Sequence, residues 1–158
     1  MTTQARRLLL LFAVLLFGAL PAAAAGPPIA ATGSFQALSF VPSNFRTAGA
    51  NTFFDFTEHD SLSGTFTGTS VIQGSCVTHA SGQTICQAVE TFTGTVAGRC
   101  GAGDSVRFRD VVRIGPTGAA QGSFTVVGGT GALASVHGHG TFQGASTGTY
   151  TAKLVFAP

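Results

Sequence analysis

The chain has 158 residues, a formal net charge of +2, and 9% charged against 44% hydrophobic residues. Arg6 and Arg7 account for the whole positive excess, so the remainder lacks the clustered Lys and Arg that neutralise nucleic-acid phosphates. With 22 glycines, 14 phenylalanines, no tryptophan and few helix formers, this is an all-β composition.

The first 25 residues read as an export signal. Arg6-Arg7 is a short positive region, Leu8 to Leu20 is apolar, and Ala23-Ala24-Ala25 supplies a small-residue cleavage pattern. The apolar run is shorter than the roughly 20 residues a spanning helix needs, so cleavage after Ala25 is expected over a membrane anchor. A secreted or periplasmic domain follows, with residues 26–32 as a loose N-terminus and 33–158 as one folded unit.

Gly33 to Val41 reads as a first strand stopped by Pro42, and Phe45 to Ala50 as a short strand or loop. Phe53 to Glu58 is a second strand with a turn near His59-Asp60-Ser61. Gly64 to Thr78 and Thr84 to Ala97 then alternate on either side of the polar break His79 to Gln83, the pattern of a β-hairpin. Centring the turn on Ser81 pairs Cys76 with Cys86, Ile72 with Glu90, Ser70 with Phe92 and Phe66 with Val96. The other face then pairs Val71 with Thr91, Thr69 with Thr93 and Thr67 with Thr95, a threonine-rich outer ladder of the kind that stabilises sheets. A slip of one residue would scramble both faces.

Three cysteines, Cys76, Cys86 and Cys100, fall in the exported part, where disulfides persist. The register predicts a Cys76–Cys86 bridge with Cys100 free in its loop; pairing of Cys100 with either of the others is the alternative.

Asp104 to Ile114 is a further strand with Val106, Phe108, Asp110, Val112 and Ile114 on one face and Arg107, Arg109 and Arg113 on the other. After the turn Gly115-Pro116-Thr117-Gly118 comes Ala120 to Val127, then Gly128-Gly129-Thr130-Gly131, a glycine-rich change of direction. Ala132-Leu133-Ala134 is too short for a stable helix and suits one helical turn acting as a plug. Val136 to Phe142 and Thr149 to Phe156 close the count at about eight strands. A closed antiparallel barrel of calycin-like type follows, because closure removes exposed edges; a two-sheet sandwich is the runner-up.

Glu90 shares the inner face with Phe92, and Asp110 shares its face with Phe108. A carboxyl group in an apolar lumen has a raised pKa and suits acid or base chemistry. Tyr150, the single tyrosine, lies on an apolar face where its hydroxyl could orient a ligand. With Phe66, Phe92, Phe108 and Phe124 it makes up the expected ligand-binding wall. The plainer reading puts these carboxyls at a barrel mouth or against buried backbone. His137 and His139 share a strand face but have no third ligand at metal-site spacing, so no metal and no cofactor are expected. There is no P-loop, GxSxG, HExxH or CxxC motif.

The stretch SFTVVGGTGALASVHGHGTF (123–142) resembles a motif near the end of plant dirigent proteins. GTFTGT (64–69), its variant TFTGTVAGR (91–99) and the ending GTYTAKLVF (148–156) are similar to a bacterial domain family of unknown function, grouped with allene oxide cyclase-like and dirigent-like barrels. The resemblance covers most of residues 64–156 and, weakly, 33–60. It implies an eight-stranded antiparallel barrel open at one end, whose relatives bind or cyclise apolar molecules such as oxylipins and phenolic radicals. His137-Gly138-His139 departs from the ARG-like triplet of dirigent proteins, and no catalytic residue is carried over. Three functions follow as expectations: a barrel holding a small apolar ligand, an isomerase or cyclase using Glu90 or Asp110, and a filled interaction barrel. Neither a nucleic-acid nor a membrane partner is expected after signal cleavage.

Overall fold

The structure, a computed structural model, describes residues 26–99 and 103–157. The expected signal segment and Cys100 lie outside the described residues.

Eight antiparallel strands follow one another around a closed ring: β1 (Ile29–Ala48), β2 (Asn51–Gly64), β3 (Phe66–Thr78), β4 (Thr84–Val96), β5 (Ser105–Ile114), β6 (Ala120–Gly129), β7 (Val136–Gly144) and β8 (Thr147–Phe156). Closure comes from β1 pairing with β8, from Ile29↔Leu154 to Gln36↔Thr147. Each strand thereby satisfies its backbone groups on both sides over the ring, which leaves no edge there to template aggregation.

The β3–β4 hairpin adopts the expected register, with Phe66↔Val96, Ser70↔Phe92, Ile72↔Glu90 and Cys76↔Cys86 opposite one another. A disulfide joins Cys76 to Cys86 across ten residues of sequence. Closing so short a loop restricts the unfolded chain by about 3 kcal/mol. Replacing both cysteines by alanine should therefore lower unfolding free energy by about 2–3 kcal/mol, read as a lower urea midpoint. An unchanged midpoint would mean that the bridge contributes nothing to stability.

The first two strands depart from expectation. β1 does not stop at Pro42: it begins at Ile29 and continues to Ala48, with Pro42 opposite Phe56. Proline is tolerated there because β1 has left β8 after Gln36, so the missing donor can face an unpaired side. The segment 45–50 is correspondingly strand through Ala48 and turn at Gly49-Ala50. His59-Asp60-Ser61 is no turn either, since β2 runs unbroken to Gly64 and pairs these residues with β1 and β3.

A register shift between Ala37 and Ser39 leaves Leu38 unpaired and 59% exposed. That one-residue bulge reverses the alternation of β1. Phe35 and Ala37 face the lumen before it, and Phe40 faces the lumen after it. Phe40 then stacks on Phe56 at 5.3 Å, and Phe45 on Phe54 at 5.5 Å, so aromatic pairs climb the tall wall made by β1 and β2.

The two halves of the barrel differ. One end is packed shut by Phe66, Phe92, Phe108, Phe124, Val106, Val136, Leu154 and Phe156. A 3-10 turn, Gly131–Leu133, lies between β6 and β7 and inserts Leu133, which is fully buried, as the plug that the spacing predicts. Gly140 is needed at this end because a Cβ there would strike the Phe124 ring and the Thr151 carbonyl. The other half is hollow.

Candidate functional site

The hollow is a cavity of about 330 Å³, within the range of small-molecule sites. Its floor is the aromatic cluster, where Phe66 meets Phe108 at 5.5 Å and Phe108 meets Phe124 at 5.5 Å, both edge to face. Phe35, Phe40, Phe56 and Phe142 form its upper walls, and Gly118, Ala145 and Ser146 of the β5–β6 and β7–β8 turns reach its rim. The disulfide belongs to a smaller cluster with Phe56 and Ala88 that stiffens this end.

Four carboxyl groups line the cavity: Glu58 and Asp60 from β2, Glu90 from β4 and Asp110 from β5. Strand alternation brings them inward. Glu58, Ile72, Glu90 and Phe108 occupy successive positions of one register row, and Asp60 lies opposite Ser70. Asp110 is opposite Ala88, one step from Glu90 along the neighbouring strand. The structure thus brings Glu90 and Asp110 to one wall and adds Glu58 and Asp60, which the expected turn at 59–61 had hidden.

Burial holds all four groups toward the protonated form, because a charge is poorly solvated among these side chains. Glu58 is pushed up to about 7, by burial first and then by the neighbouring charge of Asp60. Asp60 is pushed up to about 6 by burial, with His59 opposing. Glu90 is raised by burial and by Asp110. Ser70 tempers its shift, although Ser70 Oγ completes no hydrogen bond. Asp110 is raised by burial and by Asp60. Both oxygens of Asp110 and Oδ1 of Asp60 are buried without a hydrogen-bond partner.

The remaining expected residues divide cleanly. Phe66, Phe108, Phe124 and Tyr150 border the cavity, whereas Phe92 is fully buried beneath Phe66 and does not touch it. The Tyr150 hydroxyl is already engaged: it accepts from Phe66 N at 2.9 Å and donates to the Ser63 carbonyl at 3.0 Å. Its ring faces the cavity while its polar end ties β8 to the β2–β3 connection. Gly128, Gly129 and Thr130 lead into the plug, and Gly131 takes a left-handed φ of 52° beside the Asp104 carboxylate. His137, His139 and Arg107, Arg109 and Arg113 are exposed on the outside of the barrel. Among the described residues no group of three His, Cys, Asp or Glu is arranged to hold a metal ion.

The arrangement is a mostly apolar chamber in which protonated carboxyl groups can donate, and ionised ones can attract, hydrogen-bonding or cationic groups. The chain matches no curated protein. Among solved structures, the chain is similar to a protein of unknown function from Shewanella oneidensis MR-1, at 19% identity and a TM-score of 0.69, covering 84% of this chain and 99% of that one. The likeness at that identity is one of fold. That protein is described as a member of the DUF3224 family, and the model of the same family, "Protein of unknown function (DUF3224)", matches residues 31–156 here. With nearly the whole barrel matched, the chain belongs to the DUF3224 family.

Proposed function

We propose that this protein is a binding module that holds one small, largely apolar molecule in the open half of its barrel. The observation that carries the reading is the combination of a half-empty lumen of about 330 Å³ with buried carboxyl oxygens that lack partners. A barrel of eight strands has room for a filled interior or for one small ligand, and here the floor is filled while the mouth is not. Export, argued from residues 6–25, fits a carrier or scavenger outside the cytoplasm, and the Cys76–Cys86 bridge fits an oxidising compartment. Kinship with the allene oxide cyclase-like barrels is part of the same reading.

An isomerase or cyclase acting on the same molecule is the second reading. It is favoured by the raised Glu90 and Asp110, since a general acid must keep its proton near neutral pH.

Titration with N-phenyl-1-naphthylamine, an uncharged dye that brightens in apolar surroundings, tests the binding reading. Emission should rise at one site per chain, and Ala88→Leu, which puts bulk into the cavity wall, should weaken binding about tenfold. Dye that binds the variant equally well, or binds neither protein, would remove the lumen as a binding site. Solvent extraction of freshly purified protein, read by mass spectrometry, then separates the readings: one bound compound supports carriage, whereas a compound together with its isomer supports turnover.

A further inference from the structure

The distribution of charge between the inside and outside of the barrel is uneven. Of the six acidic residues in the chain, four (Glu58, Asp60, Glu90 and Asp110) line the cavity. Among the described residues, the cavity lining includes no Lys, Arg or His. On the facing elements, β1 contributes Phe35, Ala37 and Phe40, β3 contributes Ile72, β6 contributes Phe124 and β7 contributes Phe142, so none brings a positive charge. Tyr150 of β8 is occupied by backbone, and His59 points outward from β2.

Asp110 and Asp60 are each only 6% exposed, and three of their four oxygens have no hydrogen-bond partner. An unsatisfied buried acceptor is destabilising, and more so when it is charged. Protonation removes the charge but still leaves acceptors unmatched on both groups. A partner that supplies donors and positive charge together would satisfy all of them, and among the described residues no side chain lining the cavity supplies both.

We propose that the ligand is an organic cation: an apolar, preferably aromatic body carrying one ammonium group, with the ammonium seated among Glu58, Asp60, Glu90 and Asp110. The proposal rests on the lumen-binding reading above and names the class of molecule that lumen takes. An ammonium offers three donors in a compact head, which suits carboxyl groups presented from three different strands. Phe35, Phe40, Phe56 and Phe142 line the same cavity, with Phe40 opposite Glu58, and aromatic rings both attract a cation and pack an apolar body. A bare metal ion fits less well. Ile72 and Phe108 stand in the same row as Glu58 and Glu90, a hard cation needs six or so converging oxygens, and among the described residues no three such groups are arranged to hold a metal ion.

Linkage fixes the sign of the pH response. An ammonium favours ionised carboxyls, so binding must release protons from groups that hold them in the empty barrel. Affinity for the cation therefore rises from pH 5.5 to pH 8, through the range in which Glu58 and Asp60 titrate near 7 and 6. An uncharged ligand of equal shape responds in the opposite sense, because ionisation of the empty site makes it more hydrophilic.

The test is isothermal titration of the purified protein with three matched probes, 4-phenylbutylamine, 4-phenylbutanol and 4-phenylbutyrate, at both pH values and in buffers of different ionisation enthalpy. The amine should bind at least about tenfold tighter than the alcohol at pH 8, with proton release, and the carboxylate should not bind. Asp110→Asn should reduce the amine's advantage about tenfold or more and lessen the proton release. If that variant does not fold, Glu58→Gln near the mouth should flatten the pH dependence in the same direction. Alcohol binding as tightly as amine, or amine affinity falling with pH, overturns the cation proposal and leaves the binding module standing. Failure of all three probes to bind counts against the lumen-binding reading itself.

Discussion

Leu133→Ala should cost about 3–5 kcal/mol of stability, which for a domain of this size lowers the melting temperature by on the order of 10–15 °C. Leu133 is fully buried at the closed end, in the cluster that holds Val106, Val136 and Leu154. Removing its branched end loses the transfer energy and leaves a cavity, and the cost grows when the surroundings are unable to collapse. Here they are held firmly. Thr130 N donates to the Ser105 carbonyl at 2.9 Å, and Ser105 N donates to Thr130 Oγ1 at 2.9 Å. Ala132 N donates to Asp104 Oδ2 at 2.9 Å, and Leu133 N to the Thr130 carbonyl at 2.9 Å. Beyond the leucine, Ala157 N donates to the Ser135 carbonyl at 3.1 Å, so the turn is pinned on both sides and has little freedom to sink into the gap. Leu133 does not line the open cavity, so the folded variant should bind the naphthylamine dye as the parent does. Denaturant melts of both proteins, followed by dye titration, check the two statements separately. A loss below about 1 kcal/mol would mean the turn is a surface cap rather than a plug.

The contrast between the two ends of the barrel explains what could be read from the sequence. The β3–β4 hairpin was legible down to its register because its turn is polar, its strands alternate strictly, and two cysteines fall opposite one another. The plug was legible because Gly128-Gly129-Thr130-Gly131 breaks the strand and a lone Leu133 follows it. β1 and β2 were not, for a physical reason. Pro42 signals a stop only in a strand paired on both sides, and β1 is paired on one side at that point. His59-Asp60-Ser61 has the composition of a turn, but a lumen that takes carboxyl groups makes a buried strand look polar. The available signal was the period of two through Phe54, Phe56, Glu58, Asp60 and Leu62, which continues straight across the supposed turn. Reading that period would have placed four carboxyls in the barrel instead of two. Tyr150 lay beyond sequence reasoning altogether, because its partners Phe66 and Ser63 are 84 and 87 residues away and meet it only when the ring closes.

Those four carboxyls should invert the usual response of stability to pH. In most proteins paired carboxylates have lowered pKa values, and acid destabilises the fold. Here each group is raised, so the folded state holds protons that the unfolded chain gives up above about pH 4. Wherever the native state binds more protons, stability falls as pH rises, by about 1.4 kcal/mol per pH unit for each such group. The contribution is fully present below the unfolded pKa values and is lost as pH climbs through the folded ones, about 6 for Asp60 and about 7 for Glu58. Solvent at the mouth screens Glu58, so most of the effect belongs to the more deeply placed Glu90 and Asp110. The melting temperature should be lower at pH 8 than at pH 5 by on the order of 10 °C. Asp110→Asn, which cannot ionise, should narrow that difference and be the more stable protein at pH 8. Scanning calorimetry of both proteins from pH 4 to 9 reads it directly, and a parent protein that gains stability from pH 5 to 8 would show that the lumen carboxyls are solvated and ordinary. The same measurement reaches the ligand. At pH 8 the empty barrel holds repelling charges, so a bound ammonium should restore most of the lost melting temperature there and little at pH 5. An uncharged molecule of the same shape should stabilise more at pH 5.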